Sequence, residues 1–233
     1  MVQSSIVTNI QPLKMRKVES LEQFKSKKAS IAILLFLHLA GAVGYISPLS
    51  AWFVYLTPIL IFITGGMIWI DSKSNNKLGW PVAITIILLG YFVEIIGVNF
   101  GFPFGEYRYG DMLGWKFFGT PPIIGLQWMI LVWGSYSIFK SLKIHRVIIW
   151  FLAASLITFL YMLIEPVSIY FDLWEWSGGV VPLQNYIARF VVAFLLTIIF
   201  HAYPLVRKPR LGQAAIICQF LFYGILYLSI KLN

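Results

Sequence analysis

The sequence predicts an all-α polytopic membrane protein: a bundle of about seven transmembrane helices with two irregular loops on the outer side. Three observations predict it. Hydrophobic residues make up 59% of the 233 residues and charged residues only 12%, with a mean hydropathy of +0.81, whereas a soluble domain carries about 25% charged residues. The apolar residues fall into separate runs, each close to the ~20 residues that cross a bilayer. The Lys and Arg residues between the runs are strongly biased to alternate connections, as topology signals are.

Taken in order, residues 1–28 are polar and basic and read as a cytoplasmic tail, without the short apolar core and small-residue site of a cleaved signal peptide. Residues 29–233 form a single transmembrane domain. Span 1 covers 29–46 and turns at Ser47-Pro48 into span 2, 51–70. The polar loop 71–79 leads to span 3, 80–98. A loop over 99–119, rich in Gly, Pro and aromatic residues, precedes span 4, 120–139, whose Pro121-Pro122 suits a first helical turn. The basic loop 140–146 leads to span 5, 147–170. A second irregular loop, 171–182, precedes span 6, 183–204, and the basic loop 205–210 precedes span 7, 212–230.

Placing the N-terminus in the cytoplasm puts 14 Lys and Arg residues on that side, from Lys14 to Arg210. It leaves three, Arg108, Lys116 and Lys231, on the other, with Arg189 inside span 6. This is the positive-inside pattern of a multi-pass cell-membrane protein. The formal charge of +9 is thereby a topological signal, and a nucleic-acid partner is not expected. Cys218 is the only cysteine, so no internal disulfide can form.

The same topology gathers Glu94, Glu106, Asp111, Glu165, Asp172 and Glu175 at the outer end of the bundle, beside both irregular loops. The stretch from Glu94 to Tyr109 concentrates this chemistry. Glu94 precedes the end of an apolar run, and an acid within a membrane is a functional-site hypothesis by default. The glycines and Pro103 then break the helix, and irregular backbone at membrane depth is tolerated only against protein or a wet cavity. Thr158, Tyr161 and Glu165 form a polar stripe on span 5. Asn185 and Arg189, four residues apart, share a face of span 6, with Arg189 roughly 9 Å below its outer end. At that depth Arg189 needs a counter-ion, which Glu94 or Glu165 can supply. A carboxyl in an apolar pocket holds its proton and can act as a general acid. The acid that pairs with Arg189 stays ionised and the other is the donor; the spacing does not say which.

Asp172-x-x-Glu175 lacks the paired acidic runs that grip a diphosphate through magnesium, so no metal is expected. His38, His145 and His201 do not cluster, and His38 reads as a buried hydrogen-bonding residue. There is no P-loop or dinucleotide glycine pattern. The aromatics of the irregular loops, Phe100, Phe102, Phe104, Tyr107, Tyr109, Trp115, Trp174 and Trp176, suit a slot for a flat polyene, whose ring faces would stabilise a carbocation.

Glu94-x-x-Gly97, Gly101-Phe-Pro-Phe-Gly-Glu-Tyr107 with Tyr109, Leu113-Gly114, Pro121 and Trp128 form one block. Glu165-Pro166, Trp174-x-Trp176 and Val181-Pro-Leu-x-Asn185 form a second. Together they resemble a membrane carotenoid-biosynthesis family that includes bisanhydrobacterioruberin hydratase and related acyclic carotenoid 1,2-hydratases. The resemblance spans residues 90–190, and elsewhere only the hydropathy agrees. It implies addition of water across a terminal isoprenoid double bond of an acyclic, lycopene-like carotenoid, with no cofactor. The partners it implies are the carotenoid, water, membrane lipid and other carotenoid biosynthesis enzymes. Glu94 and Glu165 are then the acid and water-activating pair, Arg189 tunes them, Asn185 or Asn99 positions water, and Asp172 is a further catalytic candidate. Asn99, Phe102, Phe104, Tyr107, Tyr109, Trp128, Trp174 and Trp176 are the substrate-binding candidates. Two other readings stand beside it: a carotenoid or terpene cyclase using the same protonation, and a small proton-coupled transporter using the acids and Arg189 as a relay.

Overall fold

A computed structural model of the chain describes residues 28–72, 79–202 and 210–232. The expected tail through residue 27, residues 73–78 of the first polar loop and residues 203–209 lie outside the described residues. The fold is an all-α bundle: α1 (Lys28–Ile46), α2 (Ser50–Tyr55), α3 (Thr57–Ser72), α4 (Gly79–Phe100), α5 (Ile123–Phe139), α6 (Arg146–Tyr170), α7 (Leu183–Ala202) and α8 (Arg210–Leu232). Among the described residues, α1, α4, α6, α7 and α8 are long and apolar enough to cross a membrane, and α3 and α5 are shorter apolar helices. Their outward faces carry large apolar side chains such as Phe36, Val43, Phe62 and Leu228, as lipid contact requires.

The expected second span is broken in two. Pro58 lacks an N–H and its ring clashes with the carbonyl four residues back, so the helix stops at Tyr55 and restarts at Thr57. The Thr57 hydroxyl takes over by donating to the freed Val54 carbonyl at 2.6 Å. The fourth span begins at Ile123 rather than Thr120, with Pro122 as its N-cap. Pro166 is accommodated inside α6, which runs on to Tyr170.

Helix α5 is the axis of the bundle. It is buried from Gln127 through Ser137 and packs against α3, α4, α6, α7 and α8. A helix that is apolar all round finds its place at the centre.

The two irregular loops are not structureless. Each contributes a three-residue strand, β1 (Tyr107–Tyr109) and β2 (Trp174–Trp176), paired antiparallel with Tyr107 opposite Trp176, Arg108 opposite Glu175 and Tyr109 opposite Trp174. Tyr-Arg-Tyr and Trp-Glu-Trp alternate with the period of a strand, so one face of this ribbon is aromatic and the other charged. The aromatic face is buried in the bundle. On the other face Arg108 and Glu175 form an exposed ion pair. The ribbon therefore caps one end of the bundle, over α4, α5, α6 and α7.

Candidate active site

Beneath that cap two fully buried carboxyls face four aromatic side chains. Glu94 is six residues from the end of α4 and Glu165 five from the end of α6, so both lie about 8–9 Å inside the bundle. Glu94 Oε1 accepts from Trp128 Nε1 at 2.9 Å and from Arg189 Nη1 at 2.5 Å. Its Oε2 accepts from the Tyr107 and Tyr109 hydroxyls at 2.5 and 2.9 Å. Glu165 Oε2 accepts from Trp174 Nε1 at 2.8 Å and Trp176 Nε1 at 3.1 Å, and its Oε1 accepts from Asn185 Nδ2 at 2.7 Å. Arg189 Nε donates to Asn185 Oδ1 at 3.1 Å. The chain Glu94–Arg189–Asn185–Glu165 thus links α4 to α6 through a single face of α7.

Local sequence makes this approach possible. On α4, Gly90 and Gly97 flank Glu94 on the same face. A Cβ at Gly90 would lie 2.6 Å from the Trp128 side chain, and one at Gly97 would lie 2.7 Å from the Phe104 ring and 2.9 Å from the Tyr107 hydroxyl. Only bare backbone lets the donors reach the acid between them. The guanidinium of Arg189, 2% exposed, lies 4.0 Å from the Tyr161 ring centre, 4.3 Å from that of Phe104 and 5.6 Å from that of Trp128. Ring faces and a paired carboxylate together offset the cost of holding this cation away from water.

An ionised carboxylate offers about four lone-pair positions. Glu94 has four donors, one of them cationic, and so has no vacant position for a proton. Glu165 has three donors, all neutral, and among the described residues nothing donates to the second lone pair of its Oε1. Burial, and then the charge of Glu94, push the Tyr107 and Tyr109 phenols well above the ordinary tyrosine range, so both remain donors.

Above the ribbon's edge lies an open chamber of about 740 Å³, lined among others by Tyr109, Trp174, Asp172, Asp111 and Lys116. Lys116 pairs with Asp111 at 2.7 Å and holds that carboxyl below its usual range. Tyr109 and Trp174 are thus among the chamber's lining residues, while their polar tips reach Glu94 and Glu165.

A scan against family models matches residues 54–231 to a family described as carotenoid biosynthesis protein. The chain belongs to the carotenoid biosynthesis protein family. The match runs through every helix from α3 to the last, so it takes in both loops and all the residues of the buried cluster. Comparison with curated proteins and with solved structures found no match in either.

Within this carotenoid biosynthesis protein, the fold brings together Glu94, Glu165, Asn185, Arg189, Phe104, Tyr107, Tyr109, Trp128, Trp174 and Trp176. It keeps three other sequence candidates apart from them. Asp172 is exposed, at a positive φ of 54°, and lines the chamber. Asn99 is exposed, with its amide donating to the Ile95 and Phe118 carbonyls. Phe102 is 68% exposed. The Tyr and Trp residues expected as ring walls are found donating hydrogen bonds to the two acids. Tyr161, under Arg189, belongs to the cluster as well; its four-residue spacing from Glu165 was its signal. Lys116, legible in the sequence only as a charge on the outer side, lines the chamber and pairs with Asp111.

Proposed function

We propose that this chain is a carotenoid hydratase that adds water across a terminal 1,2 double bond of an acyclic carotenoid, with Glu165 as the proton donor. The observation that carries the reading is the unequal saturation of the two acids. The buried cluster holds two carboxyls and one guanidinium, which is bonded to Glu94, so with both acids ionised it has one excess negative charge, which an apolar site disfavours. One proton removes it, and Glu165 Oε1 has the vacant position.

In this reading Glu165 transfers its proton to the less substituted carbon of the terminal alkene. A tertiary cation forms at the other carbon. The cluster, now one charge more negative, and the neighbouring ring faces stabilise that cation. Water attacks the cation, and its proton returns to Glu165, so the acid is restored and no oxidant, reductant or cofactor is consumed. Asn185, held by Arg189, keeps the Glu165 carboxyl in position. Glu94 acts as the counter-ion of Arg189 and not as the donor. The chamber lined by Tyr109 and Trp174 supports hydration over cyclisation, because it opens beside residues whose side chains hold the two acids. The Lys and Arg bias supports an orientation with the N-terminus cytoplasmic and this chamber facing outward from the cell membrane.

The test is expression in a lycopene-producing host with mass analysis of the pigments. The expected result is a pigment heavier by one water with the wild type and none with Glu165→Gln. A product isomeric with the substrate would replace hydration by cyclisation, and unchanged pigments in both strains would overturn the enzymatic reading.

A further inference from the structure

Away from the acids, the bundle opens sideways between α1 and α3. An apolar cleft of about 170 Å³ runs inward among Leu37, Gly41, Phe53, Leu56, Leu60 and Phe222. Ile59 and Ile63 also line it, and both are exposed on the apolar outer surface. Thr57, Leu60 and Phe222 border both this cleft and a smaller inner space of about 20 Å³. That volume is close to what a single oxygen-sized group requires.

The inner space differs in chemistry from the cleft. Its walls include His38 from α1, Thr64 from α3, Gln127 from α5 and Gln219 from α8, all buried. The two glutamine amides bond each other reciprocally, at 3.1 and 3.3 Å, which leaves each with a second N–H and a second lone pair. His38 Nδ1 lies 2.9 Å from the Leu34 carbonyl. A carbonyl can only accept, so Nδ1 carries the proton and Nε2 is an acceptor. The Thr64 hydroxyl is 0% exposed and has no hydrogen-bond partner. An unpartnered hydroxyl in a buried site is destabilising unless something occupies its bonding direction. The set is neutral, with donors and acceptors together. It suits a neutral oxygen function and neither an ion nor a bare hydrocarbon end.

We propose that cleft and inner space form a second ligand site, which takes from the bilayer an isoprenoid chain whose bound end already carries a hydroxyl group. The apolar chain lies in the cleft. Its hydroxyl enters the inner space, where Thr64 and the glutamine amides bond it. A hydrocarbon end of the same chain would fill the cleft but leave those groups unpaired, which is how a site built for a hydroxyl rejects its absence. The site rests on the family's substrate class and is independent of which reaction occurs at Glu165.

The experiment is a binding titration with the purified full chain in phosphatidylcholine nanodiscs, in the Glu165→Gln background so that nothing turns over. The probes are an acyclic polyene hydrocarbon and its tertiary alcohol, followed by induced circular dichroism of the polyene. One or two hydrogen bonds correspond to about a tenfold preference for the alcohol. Thr64→Val, which keeps the shape and removes the hydroxyl, should reduce that preference severalfold. Gly41→Leu should weaken both probes, because a Cβ added there would sit 3.2 Å from the Phe222 ring and 3.8 Å from Leu60, and the rest of the leucine would fill the cleft. Equal binding of the two probes to the Thr64-containing protein, or a preference that survives Thr64→Val unchanged, would overturn the site. Failure of hydration in the pigment assay would leave this titration unaffected.

Discussion

Arg189 fixes which way round the Asn185 amide lies. The two residues are one turn apart on α7, and Arg189 Nε donates to Asn185 Oδ1 at 3.1 Å. A guanidinium has no acceptor, so the amide oxygen must face it. The amide nitrogen is then turned toward Glu165, which it reaches at 2.7 Å. One side chain thereby neutralises Glu94 and orients the group that holds Glu165.

The two acids should therefore fail differently. Glu94→Gln leaves Arg189 buried without its counter-ion, and breaking a buried pair in this way costs about 3–5 kcal/mol. Thermal unfolding in detergent should show a large loss of stability. Glu165→Gln leaves the ion pair intact and should lower hydration by about 10²–10⁴-fold, the usual contribution of a general acid, with a much smaller stability change. The opposite pattern would exchange the roles assigned to them.

Arg189→Lys tests the bridge. An ammonium can still neutralise Glu94, but it lacks the planar fork that serves Glu94 and Asn185 together. The variant should accumulate as folded protein and hydrate at least about tenfold more slowly, about 1.4 kcal/mol of lost positioning. Arg189→Met, which leaves Glu94 buried and unpaired, should accumulate poorly. Yield and monodispersity in detergent, alongside pigment conversion, separate the two effects.

Gly97→Ala should destabilise the protein by about 1–3 kcal/mol, the range for overpacking a filled interior. Its Cβ would meet both the Phe104 ring and the Tyr107 hydroxyl. Gly224→Ala is the matched control. It also lies within a helix, α8, and a Cβ there meets nothing within 4 Å, so it should be neutral or slightly stabilising. Equal melting temperatures for the two variants would contradict the packing described around Glu94.

Alkaline pH should loosen the cap. Tyr107 and Tyr109 are held above the ordinary tyrosine range by burial and by Glu94, so the fold favours their neutral forms. That contribution is fully present below the unfolded value of about 10 and is lost as pH rises through the higher folded values. Stability measured against pH should decline on the alkaline side, and Tyr107→Phe should flatten the decline while lowering stability at neutral pH. A decline as steep in Tyr107→Phe/Tyr109→Phe as in the wild type would assign it to other groups.

Several features are legible in the amino-acid sequence itself. Apolar runs gave the membrane helices, because each ~20-residue stretch must satisfy its backbone internally in lipid. Glu94, Glu165 and Arg189 stood out because charge within such a run is costly, and the four-residue step from Asn185 to Arg189 put both on one face. The break at Pro58 was also present in the sequence, but hydropathy is indifferent to a missing N–H and reads 51–70 as continuous. Tyr-Arg-Tyr and Trp-Glu-Trp carried the alternation of a strand, yet three residues are too few to distinguish a strand from a loop until a partner is known.

What the sequence determined by itself was an all-helical membrane bundle with its polar residues concentrated at one end. Only the tertiary structure decided that Arg189 pairs with Glu94 rather than Glu165. That choice depends on residues 95 positions apart and on which donors the ribbon's register delivers to each acid. Pairing Tyr107 with Trp176 and Tyr109 with Trp174 places two phenols over Glu94 and two indoles over Glu165. Hydrogen-bond saturation is a property of an assembled shell of groups, and no local spacing encodes it.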